Sequence, residues 1–215
     1  MIQLELYQQI LLYTDFETCV NTNDDYTSNK LYNSYLHTWI WATVNNKLKI
    51  IEWLHTNRKE GCTTEAMNLA AKYGYLDIVK FLHYNRKEGC TRKAMHFCGA
   101  ENQIEVAKFL YSKRLEGFSY EFLNKAISNG NLEIIIWFHN NVFQIYVEGF
   151  TVHTMDFAAR HGKLKIVKWL HKNRNEGCTR NAMDWAAKYG HLETLKFLHK
   201  NRNEGCSINA VTWAS

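Results

Sequence analysis

At 215 residues and 46% hydrophobic, the chain is long and apolar enough to bury a core, and its net charge of +5 falls short of the strongly basic footprint of a dedicated nucleic-acid binder. No apolar run approaches the ~18 residues of a membrane span. The start MIQLELYQQILLYTDFE carries Glu5 and no basic segment, so a secreted chain is not expected. Proline is absent, which suits a nearly all-helical protein whose turns are made by Gly and Asn.

In chain order, residues 1–32 predict an N-terminal capping helix, with Leu4, Tyr7, Ile10 and Leu11 covering the first repeat. From residue 33 a block recurs. The units are 33–60, 61–88, 89–116, 117–148, 149–176 and 177–204, with a half unit at 205–215. The step is 28 residues, except that the unit from Gly117 carries four more. A fixed period in the range of about 20–50 residues predicts a solenoid, in which each unit buries its apolar face only against its neighbours.

The unit Gly61–Glu88 shows the local logic. Thr63 is placed to cap a first helix, helix A, which carries Ala66, Met67, Ala70 and Ala71 at helical spacing. Small Ala70 and Ala71 let a second helix approach closely. Gly74 supplies a left-handed residue to end helix A. Helix B follows through Leu76, Ile78, Val79, Phe81 and Leu82, with Asp77 in its first turn and Asn85 as its stop. The first unit repeats this with Trp39, Ala42, Ile50, Ile51 and Leu54. The Gly117 unit diverges most and ends in the apolar insert Phe143-Gln144-Ile145-Tyr146-Val147-Glu148. In it Phe143, Ile145 and Tyr146 are candidates for a second contact. The last unit holds helix A without helix B.

Several ladders run along the array. Cys62, Cys90, Cys178 and Cys206 lie one repeat or a multiple apart. Stacked helices stand about 8–10 Å apart, too far for a disulfide, so free thiols and a reducing, intracellular setting are expected. His55, His83, His171 and His199 each precede one of these cysteines by seven residues. Zinc would want clustered ligands, and Phe118 and Phe150 stand at the Cys position elsewhere, so packing roles are expected and no metal or cofactor. Arg58, Arg86, Arg114, Arg174 and Arg202 are each followed two residues on by Glu, which predicts ion pairs along one edge rather than a nucleic-acid surface. Asn57, Asn85, Asn173 and Asn201 are expected to close helix B. The series Trp53, Phe81, Phe109, Trp137, Trp169, Phe197 is expected in the core. No phosphate loop, nucleophile elbow or metalloprotease motif is present, and no enzyme is expected.

Helix A also carries positions that vary while the core positions stay fixed. They read as outward-facing. In the second unit they are Thr64, Glu65, Asn68 and Lys72. In the third they are Arg92, Lys93 and His96, and in the fourth Tyr120, Glu121 and Asn124. In the fifth they are Val152, His153, Asp156 and Arg160, and in the sixth Arg180, Asn181, Asp184 and Lys188.

The stretches LAAKYGYLDIVKFL (Leu69–Leu82), FAARHGKLKIVKWL (Phe157–Leu170) and WAAKYGHLETLKFL (Trp185–Leu198) resemble ankyrin repeats. More narrowly, the WLHxNRxEGCT phrase at Trp53–Thr63 and Trp169–Thr179 resembles the ankyrin arrays of giant DNA viruses that infect amoebae. Two features depart from the family. The unit is 28 residues where about 33 is usual, and Thr-x-x-Ala-Met replaces the Thr-Pro-Leu-His turn. The missing residues are those of the β-hairpin fingers. The resemblance therefore implies an all-α, ankyrin-type solenoid with fingers reduced or absent. It places the variable helix-A positions on a concave face that binds a protein partner, a host protein if the chain is viral. A monomer is expected, with no membrane association.

Residues Leu4–Tyr13 followed by Asp15-Phe16 also resemble the start of an F-box, without its Leu-Pro opening. That resemblance implies a ubiquitin-ligase adaptor bound through Leu6, Ile10 and Leu11, with the chain as substrate receptor. Nucleic-acid binding through the Arg edge, and a decayed paralogue without a partner, are the remaining alternatives.

Overall fold

The structure, a computed structural model, describes residues 38–59, 61–118, 120–142, 149–208 and 210. Leu6, Ile10 and Leu11, and the insert residues Phe143, Ile145 and Tyr146, lie outside the described residues. Within them the chain alternates A and B helices. The first pair is α1 (38–44) and α2 (Leu48–Asn57), followed by α3 (Thr64–Tyr73) and α4 (Leu76–Asn85). Next come α5 (Arg92–Glu101) with α6 (Ile104–Lys113), and α7 (Tyr120–Asn129) with α8 (Leu132–Asn141). The last pairs are α9 (Val152–Arg160) with α10 (Leu164–Asn173), and α11 (Arg180–Lys188) with α12 (Leu192–Asn201). Among the described residues there is no strand, as the missing finger residues imply. None of these helices is long and apolar enough to cross a membrane.

Local chemistry starts and stops each helix. Thr63, Thr91 and Thr179 accept from the backbone N–H groups of Glu65, Lys93 and Asn181, satisfying first-turn donors that have no partner inside the helix. Thr151 does so in a reciprocal box, in which Thr154 Oγ1 accepts from Thr151 N at 2.9 Å. Helix A ends at a left-handed residue, Gly74 (φ 75°) in the second unit. Asn102 (φ 58°) and Asn46 (φ 54°) take the same conformation where glycine is missing, because their short polar side chains tolerate it. Helix B closes as the Asn ladder predicts. Asn57 and Asn85 donate from Nδ2 to the carbonyls of Trp53 and Phe81, each at 2.9 Å. Asn173 and Asn201 repeat the bond to Trp169 and Phe197.

The A helices pack on one another in one layer (α3 on α5, α5 on α7, α9 on α11), and the B helices stack behind them. Ala66, Ala70 and Ala71 are fully buried, and their lack of bulk is what lets the A layer close. Ile78, Val79 and Leu82 fill the space between the layers. The junction of α7 with α9, across the insert, is looser than those of α3 with α5, α5 with α7 and α9 with α11.

The His and aromatic ladders form one packing device. His55 meets Phe81 edge-to-face with ring centroids 5.6 Å apart, and His83–Phe109, His139–Trp169 and His171–Phe197 repeat the contact from unit to unit. Tyr111 takes the His place in the third unit, against Trp137, and donates to Asn141 O. Burial, then the charge of Arg114 or Arg174, pushes the His83 and His139 pKa values down, which favours the neutral rings that such packing needs. Of the aromatic series only Trp137 is buried; the others are half-buried against the core. Among the described residues no three His, Cys, Asp or Glu side chains gather to hold a metal.

Candidate protein-binding face

The residues read from sequence as outward on helix A divide in two. Thr64, Glu65, Lys72 and Val152 are half-buried, while Arg92, Lys93, Glu121, Asn124, His153, Arg160, Arg180, Asn181 and Lys188 are exposed. Tyr120 opens α7, and its side chain lies outside what is described. Asn68, Asp156 and Asp184 correct the expectation, for they are buried at 1%, 0% and 4% relative exposure.

The reason is a recurrent clasp between units. Asn68 Oδ1 accepts from Thr91 N at 3.0 Å, Asp156 Oδ1 from Thr179 N at 2.8 Å, and Asp184 Oδ1 from Ser207 N at 2.8 Å. Asp156 Oδ2 also accepts from Thr179 Oγ1 at 2.8 Å. Each donor lies where the next unit turns into its helix A, and a part-buried N–H there needs an acceptor. A sequence signal existed: an Asn or Asp at the eighth position of a unit, with Thr or Ser 23 residues later. His96 holds that eighth position in the third unit. It stays half-buried, with Nδ1 3.2 Å from Glu121 Oε2, close enough for an ion pair but not aligned as a hydrogen bond.

Around His96 the face hollows into an open pocket of about 350 Å³ lined by Arg92, Lys93, His96, Phe97 and Glu121. Four of these five were outward candidates. Phe97 was not, because an aromatic at helical spacing reads as core. The pocket offers cations, an acid and an aromatic wall together. Arg92 is held in place by a bond from Nε to Glu116 O at 3.1 Å.

The Arg edge has a different electrostatic character. Arg86 Nη2 lies 2.5 Å from Glu88 Oε1, and Arg114, Arg174 and Arg202 pair likewise with Glu116, Glu176 and Glu204. Their side chains are only 14–28% exposed, less open than an edge of surface ion pairs. Arg86 and Arg174 also reach the His55 and His139 rings of the preceding unit. Burial alone would push the Glu88 pKa up, but bonds from Arg86 and from backbone N–H groups outweigh it and hold the carboxyl below its usual value. Glu116 and Glu176 behave the same way, and at Glu204 the Arg202 bond is the largest influence.

Lowered carboxyl pKa values stabilise the fold above the ordinary value of 4.5, and that contribution is lost as pH falls through the folded-state pKa. The melting temperature is therefore expected to begin falling below about pH 6.5, where unfolding lets His83 and His139 protonate, and to fall more steeply below about pH 4.5, with that second fall reduced in Glu88→Gln/Glu116→Gln. Thermal melts across that range check it. An identical fall in the variant would remove these pairs as its cause.

Residues 39–121 match a family model described as ankyrin repeats (3 copies), and residues 155–199 match one described as ankyrin repeats (many copies). Together they cover more than half of the chain. The chain belongs to the ankyrin-repeat family. No curated protein matches it.

As an ankyrin array it is a protein–protein interaction module, of a family that is generally non-enzymatic. Its shortened unit changes what the module can present. With no strand among the described residues, the exposed chemistry of this ankyrin face comes from helix A itself.

Proposed function

We propose that this array binds a protein partner through the exposed residues of its A helices, centred on the pocket between α5 and α7. The observation that carries the reading is that pocket, in which Arg92, Lys93, His96, Phe97 and Glu121 converge on a face where the described residues form no strand. Arg and aromatic side chains at the middle of a surface are the types that dominate binding energy at protein interfaces. The Arg edge offers no comparable chemistry, since Glu88, Glu116, Glu176 and Glu204 sit on its guanidinium groups. The resemblance to giant-virus arrays makes a host protein the partner to look for.

Proximity labelling in amoebal cells, comparing the full chain with Arg92→Glu/Lys93→Glu, tests this. A protein enriched by the parent chain is expected to fall by about tenfold or more with the variant, because reversing charges at an interface both slows encounter and weakens the complex. Equal enrichment by a folded variant would move binding away from this pocket.

A further inference from the structure

The other half of the helix-A face is built differently, and its chemistry specifies a kind of partner. Arg160 ends α9 with its guanidinium carbon 5.6 Å from the Trp185 ring centroid and 5.5 Å from that of Tyr189, both on the next unit. Lys188 Nζ lies 5.8 Å from the Tyr189 ring. Arg160, Lys188 and Tyr189 are exposed, and Trp185 is half-buried. Phe157, one turn before Arg160, is half-buried on the same helix.

The acids of these two helices do not balance the cations. Asp156 and Asp184 are the only carboxylates on α9 and α11, and both are buried in the clasps to Thr179 and Ser207. Exposed Arg160 and Arg180 therefore stand on two helices that show no carboxylate to solvent.

Helix electrostatics does not account for the pattern. Cations in the last turn suit the negative end of a helix, which covers Arg160 and Lys188. Arg180 stands in the first turn of α11, at the positive end, where a cation is disfavoured. The aromatic partners are unexplained by it as well.

We propose that the Arg160–Trp185–Lys188–Tyr189 strip takes an acidic peptide segment of a protein partner, its carboxylates on the cations and its apolar groups against Phe157. The inference rests on the protein-binding reading above and specifies the partner's chemistry. Two rings hold the Arg160 guanidinium, so less side-chain freedom is lost when it forks onto a carboxylate. Trp, Tyr and Arg are also the residues that concentrate binding energy at interfaces. Nucleic acid fits less well, because single strands need aromatic faces open for base stacking, and Arg160 lies over both Trp185 and Tyr189.

The test selects displayed random peptides against the full chain, then measures the enriched peptides by fluorescence anisotropy. The enriched peptides are expected to carry an excess of Asp and Glu and to bind more weakly at high salt. In Arg160→Glu/Lys188→Glu binding is expected to fall about tenfold or more, and in Trp185→Ala to fall several-fold. Lys80→Glu/Lys165→Glu, the same change of charge on exposed residues of B helices, is expected to bind as the parent does. Circular dichroism confirms that each variant is folded.

Peptides without an acidic excess, or acidic peptides held equally by both double variants, would overturn the proposal. If such peptides are instead lost on Arg92→Glu/Lys93→Glu, the helix-A reading stands and only this strip is wrong. A folded chain that enriches no peptide would overturn both. An oligothymidine bound more tightly than any enriched peptide, and lost with Arg160→Glu/Lys188→Glu, would reassign the strip to nucleic acid.

Discussion

Phe122→Ala is expected to destabilise the array by about 3–5 kcal/mol, the range for deleting a buried aromatic side chain and leaving its cavity. Phe122 is fully buried and stands where Ala66, Ala94, Ala182 and Ala210 stand in other units. In the first and fifth units a buried threonine, Thr38 or Thr154, stands there, so no other unit places a ring in the A layer at this position. Space for the ring comes from the preceding unit, which places Gly99 where Ala71 and Ala159 stand in their own units. A Cβ on Gly99 would lie 2.6 Å from Phe122 O and 2.8 Å from Phe122 Cδ2. The ring also packs on Phe118 and Phe138, at centroid separations of 4.9 and 5.3 Å. Gly99→Ala is accordingly expected to cost about 1–3 kcal/mol by overpacking. The double variant Gly99→Ala/Phe122→Ala, which restores the small pair seen at Ala71 with Ala94 and at Ala159 with Ala182, is expected to cost less than the sum of the singles by about 1 kcal/mol or more. Urea unfolding of the four proteins measures the cycle. Strict additivity would mean that the glycine and the ring are not adapted to one another.

The second large effect concerns the clasp. Asp156→Ala removes the acceptor for both the amide and the hydroxyl of Thr179, and it should cost about 2–4 kcal/mol because those donors stay away from water without a partner. Asp156→Asn should cost only about 1 kcal/mol, since Asn68 makes the equivalent bond to Thr91 N in the second unit. In a solenoid each unit is held by its neighbours, so the loss should fall on the joint between the fifth and sixth units. Hydrogen exchange should accordingly speed up in α11 and α12 more than in α3 and α4. A melting temperature unchanged by Asp156→Ala would show that the clasp contributes nothing to stability. Uniform exchange throughout the array would argue against a local joint.

The period, the two-helix unit, the Thr starts and the Asn stops were all legible in the sequence, because each depends on contacts within a few residues. Thr63 needs only Glu65 N, and Asn85 needs only Phe81 O. The paired Arg and Glu, two residues apart, were equally local, although their partial burial was not. The outward face was read less well. Asn68, Asp156 and Asp184 are polar and lie on the right side of their helix, so one helix considered alone assigns them to solvent. Conversely, Phe97 and Trp185 look like core residues to any apolar periodicity, yet one lines the pocket and the other supports a guanidinium.

That this chain is a stack of helical hairpins, and which residues cap and fill each one, follows from the repeats, because a repeat is specified by short-range spacing and nearest-neighbour burial. Which polar side chains of helix A meet the next unit and which meet water is fixed by packing between units. That choice depends on the offset between adjacent A helices, which sets whether an acceptor reaches an amide 23 residues further on. The same offset brings Arg160 over Trp185 and Tyr189, and so gives the face its chemical character.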